Sequence, residues 1–182
     1  MSYYQLFEKI FEKAAKKMCF LCKDFISQGS KILDFGCGSG IVGATFAQYF
    51  NSKIIGVDIV DQRIRPISFL KIDGKNLPFP NDYFDVALVC FVLHHVVDPI
   101  EVLKEIKRVS KIIIICEDLP EGIFGKIYCF LHWISWNLFF GKSPKFNFHT
   151  TKEWEEVFET LGLKLVSKKD FLIKRKIFIV KK

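Results

Sequence analysis

The apolar positions of this chain fall into two patterns that alternate along its length. Residues 3–26 carry Leu6, Phe7, Ile10, Phe11, Ala14, Ala15 and Met18 at helical spacing, which predicts a leading helix ended by Ser27-Gln28-Gly29-Ser30. Short apolar runs then predict strands at 31–35, 53–58, 67–72, 84–90 and 111–116. Helical patterns at 41–50 and 100–109 lie between them, while Pro66 excludes a long helix ahead of the third strand. A helix over 152–161, stopped by Gly162, leads to two last strands at 163–169 and 174–180, whose short connection makes them an antiparallel pair. Strands alternating with helices predict an α/β fold with a mostly parallel sheet covered on both faces, here of seven strands.

Length and composition set the scale of that fold. The 182 residues, half of them apolar, suffice for one well-packed core and suggest a single domain over 1–182. Its expected parts are an N-terminal helix (1–28), a core (31–116), an aromatic segment (119–150), and a last helix with two strands (151–182). No run of eighteen apolar residues predicts a spanning helix, and the N-terminus does not read as a secretory signal. A reducing cytoplasm is therefore the expected compartment. The six cysteines fit it, since Cys37, Cys90 and Cys116 fall on or beside apolar strands. The pair Cys19 and Cys22 has no second pair at zinc-site spacing, so no metal site is expected.

The net charge of +7 is concentrated at the C-terminus, where residues 164–182 hold eight Lys/Arg against Asp170 alone. Such an edge suits RNA, an anionic membrane surface or a phosphorylated substrate, and it equally suits a terminal hairpin kept soluble by charge.

The candidate chemistry begins where the first strand runs into closely spaced glycines, Asp34-Phe35-Gly36-Cys37-Gly38-Ser39-Gly40. Glycines let the backbone turn sharply and let a ligand approach it, and the following helix offers N–H groups to an anion. Gly38 to Gly43 also fits a dinucleotide fingerprint, with Asp58 twenty residues on, so a nicotinamide-dinucleotide enzyme is a competing reading. Against it, the acid and first glycine come one step earlier, and the chain has little room for a separate substrate domain.

Residues 32–40 resemble motif I of class I S-adenosylmethionine-dependent methyltransferases. Further stretches agree in order and spacing: Gly56-Val57-Asp58-Ile59, the run Ile72 to Pro80, the run Phe84 to His95, and Val102 to Val109. The resemblance covers about residues 32–116, and its later pieces are most similar to ubiquinone and menaquinone C-methyltransferases. It implies a Rossmann-like, doubly wound sheet and S-adenosyl-L-methionine as cofactor, with S-adenosyl-L-homocysteine as product. It also implies that Gly36, Cys37, Gly38 and Gly40 bring backbone against the methionine part, with Asp34 orienting its ammonium group. Asp58 would hold the ribose hydroxyls. Asp73, with the Gly74 and Lys75 backbone, would meet the adenine. Cys90 and Phe91 would lie beside the reactive methyl. The chain departs from the family where residues 60–66 replace a helix, so Ile59, Val60 or the Arg63 stem would wall the adenine side.

For catalysis the candidates are His94 and His95 after the fourth strand, with Glu117, Asp118 and His149 near the expected mouth. No Asn/Asp-Pro-Pro-aromatic motif of many N-methylating enzymes follows that strand. In the segment 119–150, Phe124, Tyr128, Phe130, Trp133, Trp136, Phe139, Phe140, Phe146 and Phe148 form an aromatic cap, a packed helix, an oligomer contact or a peripheral membrane helix. The function expected is methyl transfer to oxygen or carbon of a small apolar or aromatic acceptor. The alternatives are a tRNA-modifying methyltransferase and a non-catalytic cofactor-binding subunit.

Overall fold

The computed structural model describes residues 3–140 and 147–182, with backbone alone at Phe140. Among these described residues seven strands, β1 (Lys31–Phe35), β2 (Lys53–Asp58), β3 (Ser68–Lys71), β4 (Phe84–Cys90), β5 (Ser110–Asp118), β6 (Lys164–Leu172) and β7 (Arg175–Lys181), form one sheet in the order β3-β2-β1-β4-β5-β7-β6. Only β7 runs against its neighbours, pairing antiparallel with β5 and β6. The expected fold class is therefore observed, including the C-terminal antiparallel pair. The order reverses between β1 and β4, and in open α/β sheets a crevice opens beyond the strand ends at such a point.

Among the described residues six helices, α1 (Tyr3–Leu6), α2 (Glu8–Cys22), α3 (Ile41–Tyr49), α4 (Pro99–Val109), α5 (Gly122–Phe140) and α6 (Thr151–Thr160), surround the sheet. Successive strand residues point to opposite faces, so each strand feeds two cores. Ile32, Val86, Leu88, Ile114, Ile177 and Ile179 pack with Met18, Cys19 and Cys22 of α2 and Phe46 of α3. Leu33, Ala87, Val89, Ile113, Ile115 and Phe178 pack with Leu103 and Ile106 of α4 and Trp154 and Phe158 of α6. Truncating a fully buried leucine such as Leu33 to alanine costs about 2–5 kcal/mol in such a core.

Local signals fix the helix starts. Asp98 caps α4 by accepting the N–H groups of Ile100 and Glu101, ahead of Pro99 at the first helical position. Thr150 and Glu153 form a reciprocal capping box at α6. The expected leading helix divides at Phe7 into α1 and α2, because Phe7 leaves the helical backbone at φ −107° and ψ 13°. The segment 59–67 holds no helix, as its sequence predicts. The fifth strand runs two residues beyond its apolar part: Glu117 and Asp118 pair across to Lys176 and Arg175 of β7.

The aromatic segment forms α5, a 19-residue helix whose only charged side chain is that of Lys126. Gly125, Cys129, His132 and Trp136 make its inward stripe, at the spacing of one helical face. Phe124, Phe130 and Phe139 are exposed. Phe146 and the side chain of Phe140 lie outside the described residues. No helix among the described residues is long and apolar enough to cross a membrane.

Candidate active site

β1 ends at the switch point, and the chain there must leave the sheet and enter α3 in five residues. It does so with Gly36, Gly38 and Gly40 all at positive φ, +68°, +47° and +73°. At Gly36 the requirement is also steric, since an added Cβ would lie 2.4 Å from Val92 Cγ2. That approach joins the glycine turn to the exit of β4. Gly43 allows a second close approach, of α3 onto β1, where an added Cβ would lie 2.6 Å from Asp34 Oδ2.

Two carboxylates flank the turn. Asp34 on β1 is buried, and its Oδ2 finds no hydrogen-bond partner among the described residues. Burial pushes its carboxyl up to about 7, with the nearby Asp58 charge adding to the rise and the Gly43 N–H offsetting only part. Asp58 ends β2, and its two oxygens accept the N–H of Gly38 at 2.9 Å and of Ile59 at 2.7 Å. It braces the turn from the neighbouring strand and leaves acceptor capacity on both oxygens. An orphaned buried acid, an acceptor carboxylate and a Cβ-free backbone fit an amino-acid-bearing nucleoside.

Next to this lies the loop after β3. Asp73 accepts the backbone N–H groups of Lys75 and Asn76 and the Asn76 side-chain amide. These donors, Asn76 first, hold its carboxyl at about 2. Its first structural task is to shape its own turn, with Gly74 at φ +84° and Ile59 packed above it. Arg63 lies over the Phe69 ring, donates to the Ile67 carbonyl and pairs with Asp61, and its stem approaches Gly40.

The second half of the site hangs on Glu117. This buried carboxylate accepts the N–H groups of Val92 and Leu93, at 3.0 and 2.8 Å, and meets His94 Nδ1 at 2.5 Å. It thereby holds the short turn Leu93–His95 beyond β4. The structure brings His94, His95 and Glu117 together and adds His132 of α5, a residue the sequence pattern did not single out. His149 is elsewhere: its ring lies against Trp154 and its Nδ1 donates to the Asn147 carbonyl. His94 stacks on Phe148 and the His95 ring lies tilted against Trp136, so aromatic side chains of the 119–150 segment reach this turn. Burial, with the neighbouring His94 and His132, pushes His95 down to about 2, so its imidazole is neutral. Asp118 meets His132 Nδ1 at 2.6 Å and Arg175 Nε at 2.6 Å, and these partners outweigh burial to hold its carboxyl low.

Cys90 ends β4, and burial raises its thiol well above the usual range. Phe91 follows at φ +57°, with its ring against the Arg175 guanidinium. Tyr4 of α1 is a further residue the periodicity did not reveal. Its hydroxyl lies over Gly38, and burial, reinforced by Asp58, pushes it up to about 12.

The basic C-terminus is largely engaged within the fold. Lys168 pairs with Glu155, Lys176 with Asp170, Arg175 with Asp118 and Lys182 with Asp82, while Lys169 donates to the Leu21 carbonyl. Four of the eight basic side chains of residues 164–182 are thus paired with acids.

Residues 6–168 match a family described as a methyltransferase domain. A demethylmenaquinone methyltransferase of Paenarthrobacter aurescens is 34% identical over 92 residues, 47% of this chain and 36% of that protein. A sterol 24-C-methyltransferase of Aspergillus fumigatus is 29% identical over 113 residues, 55% of this chain and 28% of that one. The chain thus spans less than half the length of these curated relatives. Among solved structures, a SAM-dependent methyltransferase from Archaeoglobus fulgidus superposes with a TM-score of 0.71 at 18% identity, covering 100% of both chains. One from Aquifex aeolicus gives 0.68 at 16% identity, covering 93% of this chain and 97% of that one. At those identities the superpositions establish the shared fold.

Proposed function

The chain belongs to the methyltransferase-domain family, and from that premise we propose that it transfers a methyl group from S-adenosylmethionine to an oxygen or carbon of a small apolar or aromatic acceptor. The observation that carries this reading is the glycine turn held between the orphaned Asp34 and the acceptor carboxylate of Asp58. When bound, S-adenosylmethionine supplies a methyl group activated by its sulfonium and leaves as S-adenosylhomocysteine.

The chain's own residues supply recognition and positioning. Asp34 receives the ammonium group, which gives its buried oxygen a partner. Gly36, Cys37, Gly38 and Gly40 offer backbone to the methionine part, under Tyr4. Asp58 accepts from the ribose hydroxyls, and Ile59 with the turn Asp73–Lys75 borders the adenine. Cys90 and Phe91 close the end of β4.

On the acceptor side stand His94, His95 and Glu117, with Trp136 and Phe148 against the imidazoles. A neutral imidazole of such low basicity as His95 accepts a hydrogen bond more readily than it removes a proton. The rate enhancement then comes chiefly from orientation and exclusion of water at an in-line displacement. Relatives named for demethylmenaquinone and sterol methylation support an apolar acceptor.

The test is transfer of label from methyl-labelled S-adenosylmethionine to isoprenoid quinols, sterols, simple phenols and tRNA. Label in one of the extractable organic acceptors is expected. Label appearing in tRNA alone contradicts the acceptor class.

A further inference from the structure

We propose that His94, His95 and His132 form a binding site for one divalent transition-metal ion of the zinc class. One ring nitrogen from each lies within 4.8 Å of the other two. A tetrahedral ion with N–metal distances of 2.0–2.1 Å sets its imidazole centroids about 5 Å apart. The three centroid separations here are 4.1 Å (His94–His95), 5.1 Å (His94–His132) and 6.1 Å (His95–His132), which bracket that value. The three rings are thus spaced as a tetrahedral ion requires on average.

The surroundings are those of a metal site. Glu117 lies at Nδ1 of His94 and Asp118 at Nδ1 of His132. A carboxylate at one ring nitrogen fixes the tautomer with its proton there and turns the lone pair of the other nitrogen, Nε2, toward an ion. Both carboxylates are themselves held, Glu117 by the N–H groups of Val92 and Leu93 and Asp118 by Arg175. Two of the ligands come from the turn anchored on Glu117 of β5 and one from the inward stripe of α5.

Three imidazoles leave the fourth tetrahedral position open to an oxygen ligand, a hydroxide or an oxygen of the acceptor. Three histidines with an open position is a catalytic rather than a structural zinc arrangement. That the fourth ligand is an oxygen of the methyl acceptor rests on the proposed function; the binding of the ion does not. The site departs from the sequence expectation of no metal, since His132 joins the other two only through the packing of α5.

The test loads protein, first stripped with a chelator, with Zn2+ or Co2+ and measures stoichiometry by elemental analysis and affinity by competition with a chromophoric chelator. One equivalent is expected, with visible absorption bands of tetrahedral cobalt. His95→Ala and His132→Ala should each weaken binding by at least about 100-fold, and Glu117→Gln by roughly 10–100-fold. His149→Ala should leave it unchanged, and circular dichroism confirms folding of each variant. His132→Gln, on a partly exposed helix face, serves if the alanine variants fail to fold. Wild-type protein that binds no ion, or binds it as tightly in the folded His132 variant, overturns the proposal. So does binding lost in Cys22→Ser and kept in His132→Ala. Calorimetry with S-adenosylhomocysteine on the stripped protein separates this outcome from failure of the methyltransferase reading.

Discussion

The carboxylate of Asp58 accepts the backbone N–H of Gly38 at 2.9 Å, tying the end of β2 to the middle of the turn that leaves β1. One residue therefore shapes the turn and presents acceptor oxygens beside it. Asp58→Ala removes both contributions. A charged hydrogen-bond partner is worth about 1.5–3 kcal/mol, so S-adenosylhomocysteine affinity should fall by roughly 10–150-fold. Titration calorimetry checks this, with Asp58→Asn expected to lie between.

Gly36 is irreplaceable for two separable reasons, its φ of +68° and the 2.4 Å approach of Val92 to a built Cβ. Gly29 has φ +77° with open space around it, so Gly29→Ala carries the backbone strain alone. Gly36→Ala should cost about 1–3 kcal/mol more than Gly29→Ala, the range for overpacking a filled site. Urea denaturation of the two variants measures the difference, and equal costs contradict the steric role of Val92.

Asp34 gives the protein a pH-dependent stability of defined sign. An ordinary aspartate ionises near 3.9, whereas burial raises this one to about 7 in the fold. Between those values the folded state keeps a proton that the unfolded chain has lost. Stability of the ligand-free protein therefore falls as pH rises from about 4 to 7, by at most about 1.4 kcal/mol per unit, and levels off above. Asp34→Asn should flatten that slope. Pairing with an ammonium group favours the ionised form, so cofactor binding at pH 6 should release a proton, read from calorimetry in buffers of different ionisation enthalpy.

Glu117 holds two backbone donors of the β4 exit in a buried setting. Glu117→Ala strands both and should cost about 2–5 kcal/mol, with a loosened Leu93–His95 turn. Glu117→Gln keeps a carbonyl acceptor for those groups and should recover most of that stability. Thermal unfolding of the pair distinguishes the roles.

What the sequence made legible is what short-range chemistry controls. The strand-glycine-helix transition around Gly36 and the acid at Asp58 depend on neighbours within one βαβ unit, and they lie where the spacing indicates. Glu117 was visible as a candidate but not as the anchor of the β4 exit, because its backbone partners lie 24 and 25 residues away. The extension of β5 through Glu117 and Asp118 was hidden for a related reason: acidic residues continue a strand there because Glu117 finds partners in the β4 exit and Asp118 in Arg175 and His132. His132 gave no signal at all, since a histidine in an apolar helix has no meaning until α5 packs against β5. Tyr4 was obscured by the break at Phe7, which the helical periodicity of residues 3–26 passes over.

The proposed S-adenosylmethionine site in the glycine turn is open to isothermal calorimetry of the wild-type chain with S-adenosylhomocysteine, S-adenosylmethionine and NAD. One-to-one binding of the first two is expected, with none of NAD and weakened binding in Asp58→Ala. Binding of NAD with no binding of either sulfur nucleoside would contradict it.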